Sequence, residues 1–87
     1  MLKKCIAEFL GTLFFLFVVL ATGKVIPIGL ALMVSIYLLN AYTSGMFNPA
    51  IAIMMTMAGK LPSEQLLPII ISEILGGLAA LEIYRHI

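Results

Sequence analysis

The chain has 87 residues, of which 63% are hydrophobic and 10% are charged, and its formal net charge is +1. Too few polar residues are present to cover a soluble domain of this size, and no basic patch indicates nucleic-acid binding. A single cysteine, Cys5, excludes an intrachain disulfide and a multi-cysteine metal site. Long apolar runs and a mean hydropathy of +1.21 favour an integral membrane protein.

The first predicted element is an apolar span over about 5–22. A helix of this length rises about 27 Å, close to the thickness of the hydrocarbon core of a bilayer. Two lysines ahead of the span give it the look of a signal peptide, but its length and the presence of Glu8 favour a retained segment. Gly23 and Lys24 leave a very short connection, so the next helix must return beside the first.

The second and last spans are predicted over about 25–42 and 66–84. Pro27 lies in the first turn of the second span, where a missing backbone N–H does no harm. A polar loop at 61–65 precedes the last span. Arg85 follows that span, where a cation interacts favourably with the helix dipole.

A shorter helix is predicted between them, over about 49–58. Asn48 is a strong N-cap, Pro49 is a favoured first helical residue, and Gly59 is a good C-terminal stop. This helix would be about 15 Å long, roughly half a bilayer, so it can enter a membrane but cannot cross it.

The start of such a half-helix has a distinct chemistry. Its N-terminus is electropositive and has free N–H groups, and the Asn48 amide adds donors and an acceptor. These features suit a pore that admits neutral polar molecules and repels cations. Capping chemistry alone leaves open an ordinary interfacial or packed helix that starts with the same two residues.

Four runs of residues occur in the order and spacing of a known family. They are AEFLGT at 7–12, GLA at 29–31, NPA at 48–50 and SEILGG at 72–77. On these residues the chain resembles the N-terminal half of the aquaporin/aquaglyceroporin (major intrinsic protein) family. The resemblance implies an all-α, multi-pass integral membrane protein with one domain over 1–87, made of three transmembrane helices and one re-entrant half-helix.

The chain also departs from the family pattern. The family has two inverted halves in one chain, whereas this chain has one. Met46 stands where the family has His if no gap is allowed, and Glu73 stands where it has Gln. Ile51 follows the NPA triplet, as an aliphatic residue does in the first half of the family. Ile28 replaces the aromatic residue that often precedes the glycine of the second helix.

The resemblance implies roles for individual residues. Asn48 would hydrogen-bond permeants, and Pro49 and Ala50 would lock the start of the half-helix. Ile28 and Ile51 would form an apolar constriction. Glu8 would support the loop before the half-helix by accepting backbone N–H bonds. Glu73 is assigned to the same structural support: protonated, it would stand in for the family's Gln, and ionised, it would need donors from the inverted partner.

Small residues let membrane helices approach closely. We therefore expect Gly11, Gly76 and Gly77 at helix crossings.

The function expected from these residues and the resemblance is a passive channel for water or small neutral solutes such as glycerol, formed by two chains in inverted orientation within the lipid bilayer. Inversion is compatible with the weak charge bias, because three basic residues would lie on one side and two on the other. These are Lys3, Lys4 and Lys60 against Lys24 and Arg85. A different, complementary half-channel is the other possible partner.

Two alternatives belong to other classes. One is a small dual-topology proton-coupled transporter that uses Glu8, and the other is a non-conducting half-channel that needs a different partner. No catalytic constellation, cofactor motif or metal-ligand spacing is present in the sequence, so we expect neither an enzyme nor a bound cofactor or metal.

Overall fold

The computed structural model describes all residues, 1–87, and α-helices are its only regular secondary structure. They are α1 (Leu2–Thr22), α2 (Val25–Leu39), α3 (Pro49–Met57) and α4 (Ser63–Arg85). Two of them, α1 and α4, are long and apolar enough to cross a membrane, with hydropathies of 2.2 and 1.9. The prediction of an all-helical chain is therefore confirmed.

A two-residue turn separates α1 from α2. Gly23 has a φ of 60°, in the left-handed region, and its N–H donates to the carbonyl oxygen of Val19 at 3.0 Å. A residue without a Cβ adopts this conformation at no steric cost, which explains why glycine ends α1. Lys24 then turns the chain into α2 with extended backbone angles, and α2 packs back against α1.

Helices α1 and α4 form the main packing interface of the chain. At Gly76 of α4 the backbones approach so closely that a Cβ would lie 2.6 Å from the carbonyl oxygen of Phe9 and 3.0 Å from the Cβ of Thr12. At Gly77 a Cβ would lie 3.0 Å from the side chain of Leu16. Both glycines therefore lie at a helix crossing, as expected.

The third expected glycine, Gly11, faces a loop instead of a helix. The three atoms nearest to the position of its missing Cβ all belong to the ring of Phe47, in the segment before α3. The expectation of a helix crossing was wrong here because the spacing of small residues does not reveal which segment covers them.

Helix α3 packs against α4 through a small apolar cluster. Four buried side chains form it, namely Met46, Ala52, Leu61 and Ile69. The turn after α3 contains Gly59 at a φ of 76°, and the N–H groups of Lys60 and Leu61 both donate to the carbonyl oxygen of Met55. This turn reverses the chain and brings the start of α4 beside α3.

The helices extend beyond or end before the predicted spans. Both α1 and α4 begin earlier than predicted because charged residues, which the span limits left out, are good helix formers. By contrast, α2 ends at Leu39, before the predicted limit near 42. The N–H groups of Tyr42 and Thr43 both donate to the carbonyl oxygen of Leu39 in a tight turn there.

Most of the surface of the chain is apolar. Only 15 of its 87 residues are buried, and large hydrophobic side chains are exposed on every helix. Val25 is 84% exposed and Met57 is 83% exposed. Such a surface requires lipid or protein around it, in agreement with a bilayer environment.

Candidate functional site

The candidate site begins at the N-terminus of α3. Asn48 has extended backbone angles, and its side-chain oxygen accepts a hydrogen bond from the N–H of Ala50 at 2.9 Å. Pro49 occupies the first helical position. The Asn48 side chain is exposed, and its Nδ2 donates to no group within the chain. The cap therefore uses the oxygen of the amide and leaves its donor free.

An open groove of about 540 Å³ lies beside Asn48. Its walls are mostly apolar side chains of α1 and α4, namely Phe15, Leu16, Val19, Leu20, Ile74, Leu78 and Leu81. Three polar residues, Thr12, Asn48 and Glu73, are among those that line it. An apolar groove with a few polar groups is the usual form of a site for small molecules.

Glu8 of α1 binds the loop before α3. This carboxyl group is fully buried and accepts three hydrogen bonds. The N–H of Phe47 donates to Oε1 at 2.8 Å, and the N–H of Met46 donates to Oε2 at 3.3 Å. The hydroxyl of Thr43 also donates to Oε2. Glu8 thus provides the acceptors that the loop backbone needs away from water.

The carboxyl group of Glu73 continues this arrangement from α4. Its Oε2 accepts a hydrogen bond from the N–H of Asn48 at 3.1 Å. Three consecutive backbone N–H groups, at 46–48, therefore donate to two buried carboxyl groups. The other oxygen, Oε1, is buried and has no hydrogen-bond partner, and the same is true of the Thr12 hydroxyl.

Phe47 gives this loop its shape. Its φ of 51° lies in the left-handed region, which is uncommon for a residue with a bulky side chain. The residue is only 2% exposed, and its ring lies over Gly11 of α1. Consecutive N–H groups around a left-handed residue converge on one side of the chain, and here they converge on carboxylate oxygens.

The structure brings together some of the residues predicted for a pore and separates others. Asn48 and Pro49 line the groove, whereas Ala50, Ile28 and Ile51 do not. Ile28 is half-buried on α2 and Ile51 is exposed on α3. A constriction made by the two isoleucines stays a prediction.

Three residues of the site were missed from the sequence. Thr12 lies four residues after Glu8, so helix periodicity could have placed both on one face. Thr43 and Phe47 offered no comparable signal, because their roles depend on contacts with α1.

Comparison with known proteins identifies several relatives. Aquaporin Z from Brucella melitensis biotype 1 is 33% identical over 95 aligned residues, which cover 92% of this chain and 42% of that protein. Glycerol uptake facilitator protein-like 6 from Lactiplantibacillus plantarum is 35% identical, with 91% of this chain and 41% of that protein covered. Aquaporin NIP1-1 from Arabidopsis thaliana is 36% identical, with 91% of this chain and 31% of that protein covered.

The chain thus spans less than half the length of these curated relatives. No protein-family model matches it. No solved structure matches it with significance. The relatives are channels rather than enzymes, which supports the expectation of a non-enzyme at the level of the family. The resemblance drawn from the motifs is confirmed: over about nine tenths of its length this chain is similar to aquaporins and to a glycerol uptake facilitator.

Proposed function

We propose that two copies of this chain pair in inverted orientation and form a passive membrane channel for water and small neutral solutes such as glycerol. The observation that carries this proposal is the free amide donor of Asn48, exposed beside an apolar groove at the start of a short helix. A donor in an apolar groove can replace one hydrogen bond of a permeating molecule that has left bulk water.

The proposed membrane arrangement has three crossing helices and one re-entrant helix. With 15 residues, α2 rises about 22 Å, so it needs the following turn to cover a bilayer. With nine residues, α3 rises about 14 Å and would reach only about half the depth. Irregular backbone is tolerated at that depth when protein satisfies it, and Glu8 and Glu73 do this for the loop before α3.

A second chain would complete the groove. In one chain the groove has walls from α1 and α4 and remains open. An inverted copy would supply the opposite wall and a second Asn48, and would place two electropositive helix ends near the bilayer centre. Such ends disfavour cations, so neutral solutes are the expected permeants. The names of the relatives, which include aquaporins and a glycerol uptake facilitator, agree with this class of permeant.

The transporter alternative lacks support in the geometry. Glu8 is fully buried and its two oxygens accept three hydrogen bonds from Thr43, Met46 and Phe47. A carboxylate that binds a transported substrate needs an oxygen free for it, and both oxygens of Glu8 already accept hydrogen bonds from the loop.

Stopped-flow light scattering on liposomes that contain the purified chain alone tests the proposal. Under sucrose and then glycerol gradients, we expect faster water and glycerol flux than in empty liposomes. Asn48→Asp keeps the oxygen that caps Ala50 and replaces the free donor with a carboxylate oxygen, so it should abolish the added flux.

Asn40→Asp is the matched control, since it makes the same change at an exposed position just after α2. It should keep the flux. Wild-type flux no faster than that of empty liposomes would contradict a channel made of this chain alone, and would leave the complementary-partner alternative. Equal loss of flux in both variants would remove Asn48 from the pathway.

A further inference from the structure

Two buried carboxyl groups bind the same loop, at 46–48. Glu8 is 0% exposed and Glu73 is 1% exposed. They lie on different helices, α1 and α4, which pack closely against each other. Neighbouring N–H groups of the same loop bind one each, since Phe47 donates to Glu8 and Asn48 donates to Glu73.

The available donors do not satisfy this pair. Both oxygens of Glu8 accept hydrogen bonds, and Oε2 of Glu73 accepts one, but Oε1 of Glu73 accepts none. The nearby hydroxyl of Thr12 does not donate to either carboxyl group. An unpaired acceptor beside a second acceptor, both away from water, is a costly arrangement when both groups are ionised.

No cation in the chain compensates for two negative charges here. The nearest basic side chain on α1, Lys4, directs its Nζ to the side-chain oxygen of Gln65 at 2.7 Å. The ion pairs of the chain both involve Glu82, near the end of α4. No titratable residue occurs in α3, while Tyr37 of α2 and Tyr42 of the loop are exposed.

We propose that Glu8 and Glu73 bind a single proton between them. Oε1 of Glu73 carries this proton and donates it in a hydrogen bond to the carboxylate of Glu8. This hydrogen bond links α1 to α4 next to the loop at 46–48. The pair then has one negative charge, which the three loop N–H groups and the Thr43 hydroxyl stabilise.

This site has a consequence for transport, which rests on the proposed function. When the proton leaves at high pH, the two carboxylates repel each other and move apart. The acceptors of the Phe47 and Asn48 N–H groups then leave their present positions. The start of α3 then shifts, and flux through the channel decreases with rising pH.

Infrared spectroscopy of the full chain in liposomes tests the proton site without relying on flux. We expect a carboxylic-acid C=O band at neutral pH that shifts in D2O and disappears on titration to high pH. Glu73→Gln should remove the band, whereas Glu64→Gln, at an exposed position in the first turn of α4, should keep it. The absence of the band from the wild-type chain at neutral pH would overturn the proposal, and this outcome needs no variant to fold.

The flux measurement supplies an independent outcome. Glutamine at position 73 keeps a donor toward Glu8 and cannot lose a proton, so flux through Glu73→Gln should no longer decrease with pH. The decrease should remain in Glu64→Gln. An acid band without any flux would retain the proton site and reject the channel, whereas flux without an acid band would do the reverse.

Discussion

The two ends of α3 are held in different ways. At its N-terminal end, buried carboxyl groups bind the backbone N–H groups of Met46, Phe47 and Asn48. At its C-terminal end, apolar side chains such as Leu61 and Ile69 pack in the small cluster against α4. The first end therefore depends on directed hydrogen bonds, and the second depends on packing, which has no preferred direction.

The difference follows from what each end must position. In the proposed channel the N-terminal end presents one donor, Nδ2 of Asn48, beside the groove, and hydrogen bonds define atomic positions within a narrow range of distance and angle. The C-terminal end needs only to stay attached. Burying Glu8 and Glu73 in an apolar protein is costly, so we infer that accuracy at the first end outweighs this cost.

Among the substitutions that test this comparison, Glu8→Ala, at the N-terminal end, should reduce the stability of the chain most. It leaves three donors without an acceptor, those of Thr43, Met46 and Phe47, and each unpaired buried donor costs about 1–3 kcal/mol. We expect a large loss of stability in thermal unfolding followed by circular dichroism in detergent. Glu64→Ala, at an exposed position, is the control. Equal melting temperatures for the two variants would show that the hydrogen bonds of Glu8 do not hold the loop.

Ile69→Ala tests the apolar end. Its side chain is 0% exposed, so truncation should destabilise the chain by about 2–5 kcal/mol through lost burial and a cavity. Flux per folded channel should stay close to wild type, because Ile69 does not line the groove. The control is Leu67→Ala, since Leu67 is 66% exposed. A selective loss of flux in a well-folded Ile69→Ala protein would contradict the division of roles between the two ends.

Gly76→Ala tests the helix crossing that brings Glu8 and Glu73 together. The added Cβ would lie 2.6 Å from a backbone oxygen of α1, so the helices must separate, at a cost of about 1–3 kcal/mol. Gly29→Ala is the matched control, because nothing lies within 4 Å of the added Cβ in α2. We expect the control to be neutral or slightly stabilising in the same unfolding measurement. Similar destabilisation in both would indicate a general intolerance of alanine rather than a tight crossing.

Lys4→Met should have the smallest effect. It removes the hydrogen bond from Nζ to Gln65, which is polar like the bonds of Glu8 but only partly buried. Water can replace the lost partner, so we expect the free energy of unfolding to fall by about 1 kcal/mol or less. Lys3→Met is the control for the lost charge. A loss of stability as large as that of Glu8→Ala would mean that burial does not explain why the hydrogen bonds of Glu8 stabilise the N-terminal end of α3.

The sequence predicts those parts of the site that depend on local chemistry. Asn48 as a cap and Pro49 at the first helical position follow from the preferences of helix N-termini, and the structure has both. Support of the loop by Glu8 follows only from the resemblance, because residue 8 is distant from the loop in sequence, and Glu73 departs from the family's Gln. The structure places their oxygens against its N–H groups.

Other features could not be predicted from local patterns. The left-handed Phe47 lies over Gly11 through a contact across thirty-six positions of the sequence, and neither residue alone indicates the other. The early end of α2 at Leu39 depends on a turn formed by backbone bonds from Tyr42 and Thr43. Apolar composition continues past this turn, so hydropathy alone extends the span.

The two-residue turn at Gly23 and Lys24 has a consequence for biogenesis. A connection this short cannot be threaded across a bilayer separately from the helices that it joins, so α1 and α2 enter the membrane as one hairpin. The orientation of the whole chain is then decided once, when this hairpin inserts with the turn on one side or the other. In the proposed inverted pair, a single early choice with little charge bias would yield both partners from one translated product.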